Sequence, residues 1–178
     1  VERSRGLGDV YKRQVGAVYR NSDPSDIVVT AAGGLVGEVV QVWKPKQLNT
    51  FETEWGFSCM GYEISGALGI KMAKPDQDVV VFVGDGSYLL NNTDIYSSVI
   101  YDQKLIIIVC DNGGHMVINR LQLAKGGKEY ICNLRAARAT NLKFVDFENH
   151  AKSMGANAET VSSTSELEAA YKLSLIHI

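Results

Sequence analysis

The sequence predicts an α/β domain, a doubly wound and mainly parallel sheet with helices on both faces. Three observations carry that expectation. Residues 79–83 (VVVFV) and 105–110 (LIIIVC) are short runs that are apolar on both faces, as strands are when helices cover a parallel sheet from each side. Residues 88–101 between them have helical length and a mixed apolar and polar pattern, so the stretch reads as one βαβ unit with parallel strands. From Asp26 onward, β-branched runs alternate with longer helical stretches, the order that builds this class.

Taken in order, residues 27–31 (IVVTA) predict a strand followed by Gly33 and Gly34, and residues 35–43 a helix stopped by Pro45. Residues 50–53 form a candidate short strand. Met60, Ile64, Leu68 and Met72 recur at spacing four with Ala67 beside them, marking one buried face of a helix that ends before Pro75. After the βαβ unit, residues 147–154 predict a helix with Asp146 as N-cap and Gly155 at its end. Residues 158–161 predict a strand, and Ser163 or Thr164 caps a last helix running to Tyr171. GDVYKRQ near the start and LSLIHI at the end resemble translated adaptor sequence. Residues 1–14 and 173–178 are therefore expected to be non-native and are set aside, leaving residues 15–172 as one domain, a fragment of a longer protein.

Composition narrows the function classes. At 178 residues the chain holds one domain with a core. Its formal charge of −2 leaves no basic excess for a polyanion, so nucleic acid is excluded as a partner. No apolar run approaches the roughly 20 residues that span a bilayer, so no membrane association is expected. Cys59, Cys110 and Cys132 are widely spaced with no CxxC, which argues against a disulfide framework or zinc site and for reduced thiols in a cytoplasmic protein.

The chemistry concentrates at two strand ends, Gly84-Asp85-Gly86-Ser87 and Asp111-Asn112-Gly113-Gly114. Ligands of open α/β sheets bind outside the carboxyl ends of the strands, and one crossover separates Asp85 from Asn112. Gly84 and Gly86 allow a tight turn, and the N–H groups of Gly86 and Ser87 begin a helix, which attracts an anion. Asp85 would repel a phosphate there unless a cation lay between them. Mg²⁺ resolves the conflict, because it prefers carboxylate, amide and carbonyl oxygens together with substrate phosphates. Asp85 supplies the charge, Asn112 a neutral oxygen, and Gly114 a carbonyl free to turn inward. A Rossmann reading fails because the sixth position of GxGxxG is Leu89, and no P-loop motif is present.

GDGS, a helix, an apolar strand and DN-G-G together resemble the diphosphate-binding motif of thiamine-diphosphate enzymes, with Asp111 in place of the first Asn of the usual pair. The resemblance implies thiamine diphosphate and Mg²⁺ as cofactors, with Asp85, Asn112 and Gly114 on the metal and Gly84, Gly86 and Ser87 at the diphosphate. The segment 54–62 (EWGFSCMGY) resembles the family's stretch beneath the aminopyrimidine ring. There Met60 would be the hydrophobic wedge holding the cofactor bent, and the backbone of Ser58 and Met60 would bond the pyrimidine edge.

A finer resemblance, through WGFSCMGYEISGALG, GDGSYLL, INRLQ and VDFENHAKSMGA, is to the trihydroxycyclohexane-1,2-dione hydrolases of myo-inositol catabolism. It implies hydrolytic opening of a cyclic dione ring at a C–C bond, in a homo-oligomer whose activating Glu lies on a pyrimidine-binding domain of the same or a neighbouring subunit. No residue here is assigned to catalysis. Glu54 and Glu63 read as helix-start or surface carboxylates, His150 as solvated, and Cys59 and Cys110 as small buried residues; His115 and Val117 read either as pocket lining or as ordinary loop. An acetolactate-synthase-like carboligase remains the alternative enzyme, although such enzymes carry GLPAAIG where this chain has residues 62–69 (YEISGALG). A receiver-like signalling module phosphorylated on Asp85 is the alternative from another class. It would need further acidic ligands and a late Lys after a strand.

Overall fold

The computed structural model describes residues 7–139, 141 and 144–175. Four strands, β1 (Ile27–Thr30), β2 (Phe51–Thr53), β3 (Val79–Gly84) and β4 (Ile106–Cys110), pair in parallel in the order β2-β1-β3-β4. The register runs from Val80 opposite Ile106 to Gly84 opposite Cys110, so the GDGS turn and the DNGG loop leave the sheet side by side. The chain steps from β1 outward to β2 and then returns to β3 on the other flank of β1, which makes a switch in strand order next to those two loops.

β3 is apolar on both faces because both are covered. Val80 and Phe82 lie in one buried cluster and Val79, Val81 and Val83 in the other, the period of two that a strand imposes. On the first face pack α1 (Leu7–Asn21), α2 (Gly33–Val42) and α8 (Thr164–Leu175), contributing Val15, Val18, Leu35, Val39, Leu167 and Tyr171. Trp43 stacks edge-on to Phe82 at 6.1 Å. On the second face pack α3 (Tyr62–Ala73) and α5 (Asp94–Ile100), with Ile64, Ala67 and Ile95, beside Tyr88 of α4 (Asp85–Leu90).

Several expectations need correction. The helix predicted across residues 88–101 is two helices, α4 and α5. Asn91 Nδ2 donates to the Gly61 carbonyl and the Ser65 hydroxyl, and Asn92 Nδ2 to the Tyr88 carbonyl, and local bonds of this kind compete with helix continuation. Met60 precedes α3 instead of lying on it, and Met72 is 55% exposed. The buried stripe is Ile64, Ala67, Leu68 and Lys71, whose ammonium donates to the Pro75 and Gln77 carbonyls.

No strand forms at residues 158–161, because the Thr160 N–H donates to Glu148 and the Ser162 N–H to Glu166 instead of to a neighbouring strand. The helix after Asp146 is present as α7 (Phe147–Ser153), and Gly155 beyond it takes φ +89°. α6 (Met116–Ala124) was not anticipated; among its residues only Asn119 is buried, so it buries no apolar stripe. Residues 7–14, set aside in the sequence reading, form the first half of α1, and Tyr11 and Val15 are buried there. Residues 1–6 and 176–178 lie outside the described residues. Among the described residues, no helix is long and apolar enough to cross a membrane.

Candidate cofactor-diphosphate site

Asp85 leaves the end of β3 and is 2% exposed. Its Oδ2 accepts from the Gly114 N–H at 2.6 Å, a direct bond between the two loops that the sequence paired. Oδ1 is buried and has no hydrogen-bond partner. Burial, above all, holds the Asp85 carboxyl above its usual range; the Gly114 N–H opposes the shift, and the nearby Asp111 carboxylate adds to it. A buried carboxylate with one oxygen idle beside a second carboxylate is costly unless a cation joins it.

Asn112 supplies the matching half. Its Nδ2 donates to the Tyr11 hydroxyl at 2.5 Å, while its Oδ1 is buried without a partner. The Tyr11 bond therefore fixes which end of the amide stays free, and the free end is the oxygen. Tyr11 remains a neutral phenol, because burial pushes its pKa up to about 12. Sequence reasoning missed this residue, since it sits in the segment set aside. Two orphaned oxygens, one anionic and one neutral, on adjacent strand ends are the donor set that a hard divalent ion takes. They fit Mg²⁺.

The glycines shape the cradle. Gly113 and Gly114 take φ +84° and +133°, backbone that L side chains rarely adopt. A Cβ on Gly114 would stand 2.5 Å from the Cys132 carbonyl oxygen. The Gly114 carbonyl accepts from the Met116 N–H at 3.0 Å and retains a second lone pair. Gly86 is equally tight, because a Cβ there would stand 2.5 Å from His115 Nδ1. His115 thus lies on the GDGS turn itself. Val117 is in α6 against Gly34.

Ser87 turns its hydroxyl away from Asp85. Oγ lies 2.7 and 2.8 Å from the two Glu63 carboxylate oxygens and accepts from the Gly61 N–H at 2.7 Å. Glu63 stands in the first turn of α3, the helix-start alternative of the sequence reading, but at 1% exposed it is not a surface carboxylate. Glu54 does cap a turn, with Oε1 accepting from Phe57 N–H and Oε2 from Cys59 N–H. Between them Ser58 takes φ +52°, a left-handed conformation that costs a non-glycine residue about 1 kcal/mol or more and tends to occur at functional sites. Met60 is half-buried just before Gly61, whose φ is +92° and whose added Cβ would meet Asn91 Cβ at 2.8 Å. His150 bonds the buried Tyr88 hydroxyl through Nδ1 at 2.9 Å, a closer tie than a solvated helix face implied. Cys110 is buried and its thiol is pushed up to about 12, which suits a core residue; Cys59 is exposed, contrary to expectation.

Among the described residues, no group of three or more His, Cys, Asp or Glu side chains gathers to hold a metal. A receiver-like acidic pocket is therefore absent from them, and so is a self-sufficient metal centre. The Asp85 set has one anionic ligand and fits a metal that brings phosphates with it.

Comparison with known proteins agrees. Residues 31–177 match the family described as thiamine pyrophosphate enzyme, C-terminal TPP binding domain. A 3D-(3,5/4)-trihydroxycyclohexane-1,2-dione hydrolase of Halalkalibacterium halodurans is 40% identical over 148 residues, 83% of this chain and 23% of that protein. Proteins of the same name from Lacticaseibacillus casei and Bacillus subtilis are 40% identical over 154 residues and 37% identical over 148; the matches cover 86% and 83% of this chain, and 24% and 23% of those proteins. The chain thus spans about a quarter of the length of these relatives. Among solved structures, a thiamine diphosphate-dependent 4-hydroxybenzoylformate decarboxylase of Rhodococcus jostii superposes with a TM-score of 0.81 at 18% identity, over 93% of this chain and 30% of that one, which establishes the shared fold. With a parallel sheet that brings an acid and an amide to adjacent strand tips, and a match running from the end of β1 through α8, this chain belongs to the thiamine pyrophosphate enzymes as their C-terminal cofactor-binding domain.

Proposed function

We propose that this chain is the diphosphate- and Mg²⁺-binding part of a hydrolase that opens the ring of trihydroxycyclohexane-1,2-dione at a C–C bond, in the cytoplasmic breakdown of myo-inositol. The observation that carries the site is the pair of buried, unpartnered oxygens, Asp85 Oδ1 and Asn112 Oδ1. The relatives' names support the substrate. Bound thiamine diphosphate supplies an electron sink for C–C bond cleavage.

The residues of this chain bind and orient. Asp85 and Asn112 hold the metal, with the Gly114 carbonyl as third protein ligand; Gly84 and Gly86 let the backbone approach the diphosphate, and Ser87 offers its N–H, since its hydroxyl is engaged by Glu63. At the other end, the amides of Phe57, Cys59 and Gly61 are taken by Glu54, Glu63 and Ser87. The alternate residues, Ser58 and Met60, serve the aminopyrimidine, and Met60 supports its bend. Trp55 and Phe57 are 58% and 90% exposed beside them, a surface suited to a pyrimidine-binding domain of the same or a neighbouring subunit in a homo-oligomer. That domain carries the activating Glu. A full-length enzyme containing this domain, offered the cyclic dione and pyruvate separately, should consume the dione; turnover of pyruvate alone would favour the carboligase reading and overturn this one.

A further inference from the structure

Glu63 is a buried carboxylate that has no ion-pair partner among the described residues and no part in the proposed metal site. It lies on the first turn of α3 and is 1% exposed. Every polar group converging on it is a donor. Oε1 accepts from the Ala32 N–H at 3.3 Å, Oε2 from the Gly61 N–H at 3.0 Å, and the Ser87 hydroxyl lies within 2.8 Å of both oxygens. These donors belong to three separate segments: the end of β1, the turn before α3, and the GDGS turn after β3. The Gly61 N–H is shared between Glu63 and Ser87 Oγ, so the three residues form a closed triangle instead of a chain.

We infer that Glu63 is a positioning residue that locks the 57–61 turn to the 84–87 turn, holding the two ends of the cofactor cradle at a fixed separation. This rests on the site reading above, in which those turns serve opposite ends of one cofactor. A carboxylate suits the role because it is acceptor-only and can satisfy three donors at once, whereas an amide presents two N–H donors of its own and must leave a buried pair facing each other. Because the same carboxylate bonds both turns, a ligand that orders one turn orders the other through Glu63.

The test uses a ligand that reaches only one end. Hydrogen exchange is followed on this chain with and without Mg²⁺ plus inorganic pyrophosphate, which has no pyrimidine. In the parent, exchange should slow both at residues 84–90 and at residues 57–61. In Glu63→Gln the protection at 84–90 should persist, while that at 57–61 falls at least threefold. Ser87→Ala, which removes one side of the triangle without touching α3, should give the same uncoupling and serves if Glu63→Gln fails to fold. A role confined to stability would lower the melting temperature without separating the two segments. Equal protection of both segments in parent and variants, or none at 57–61 in the parent, overturns the inference and leaves the metal site standing. A parent that does not bind magnesium pyrophosphate contradicts the site reading itself and takes this inference with it.

Discussion

Asp85 and Asn112 show how far single residues constrain the reading. Each has one side-chain polar atom committed to the protein, to the Gly114 N–H and the Tyr11 hydroxyl, and one left buried and idle. An idle buried polar atom costs about 1–3 kcal/mol, a cost that the metal proposed for this site would relieve at both. The glycine between Gly113 and His115 has a sharper constraint. Gly114→Ala would place a Cβ 2.5 Å from the Cys132 carbonyl at φ +133°; a loss of about 2 kcal/mol or more in chemical denaturation is expected, with an unchanged midpoint counting against the loop geometry. Asp26 gives a pH prediction away from the site. Its carboxyl is held above the usual range, chiefly by burial and against the Asp23 N–H that bonds it. The folded state then holds the proton more tightly than the unfolded one, so stability is lost as the pH rises from the ordinary value of about 3.9 through the raised one. Melting curves of the parent and Asp26→Asn should show the parent losing ground to the variant across that rise; a difference flat with pH would contradict the assignment.

At the scale of elements, the strands carry the strongest signal and the helix ends the most local one. Phe82 on β3 is fully buried against Trp43, and Phe82→Ala should cost about 3–5 kcal/mol, visible as a collapse of the denaturation midpoint. Asp146 caps α7 by accepting from the Asn149 N–H at 3.0 Å, and Asp146→Ala should cost about 1 kcal/mol. Both were legible in the sequence: VVVFV because covered strands are uniformly apolar, and Asp146 because its spacing to the apolar run marks a cap. The break between α4 and α5 was not, because it depends on Asn91 reaching Gly61 and Ser65, partners far away in sequence. The expected strand at 158–161 does not form: the Thr160 N–H is taken by Glu148 of α7, and the Ser162 N–H just beyond the stretch by Glu166 of α8. Glu63 does stand at a helix start, as the sequence suggests; its burial was not legible, because nothing in the linear pattern shows three donors folding onto it.

For the molecule as a whole, the sheet order turns two separated motifs into one site. β3 and β4 are parallel neighbours in register up to Gly84 and Cys110, so the GDGS and DNGG loops leave the sheet side by side and the Gly114 N–H reaches Asp85. What the sequence could not supply is the contribution of α1, whose Tyr11 returns to Asn112 from the far end of the chain. The central claim is that these parts hold one divalent ion with a diphosphate, and thermal stability measures it directly. A ligand at 100 times its Kd adds about 2.7 kcal/mol. Mg²⁺ and thiamine diphosphate together should raise the melting temperature of this chain by a few degrees, with neither alone sufficient and with Asp85→Ala unresponsive. An Asp85→Ala variant that responds as fully as the parent would contradict the account.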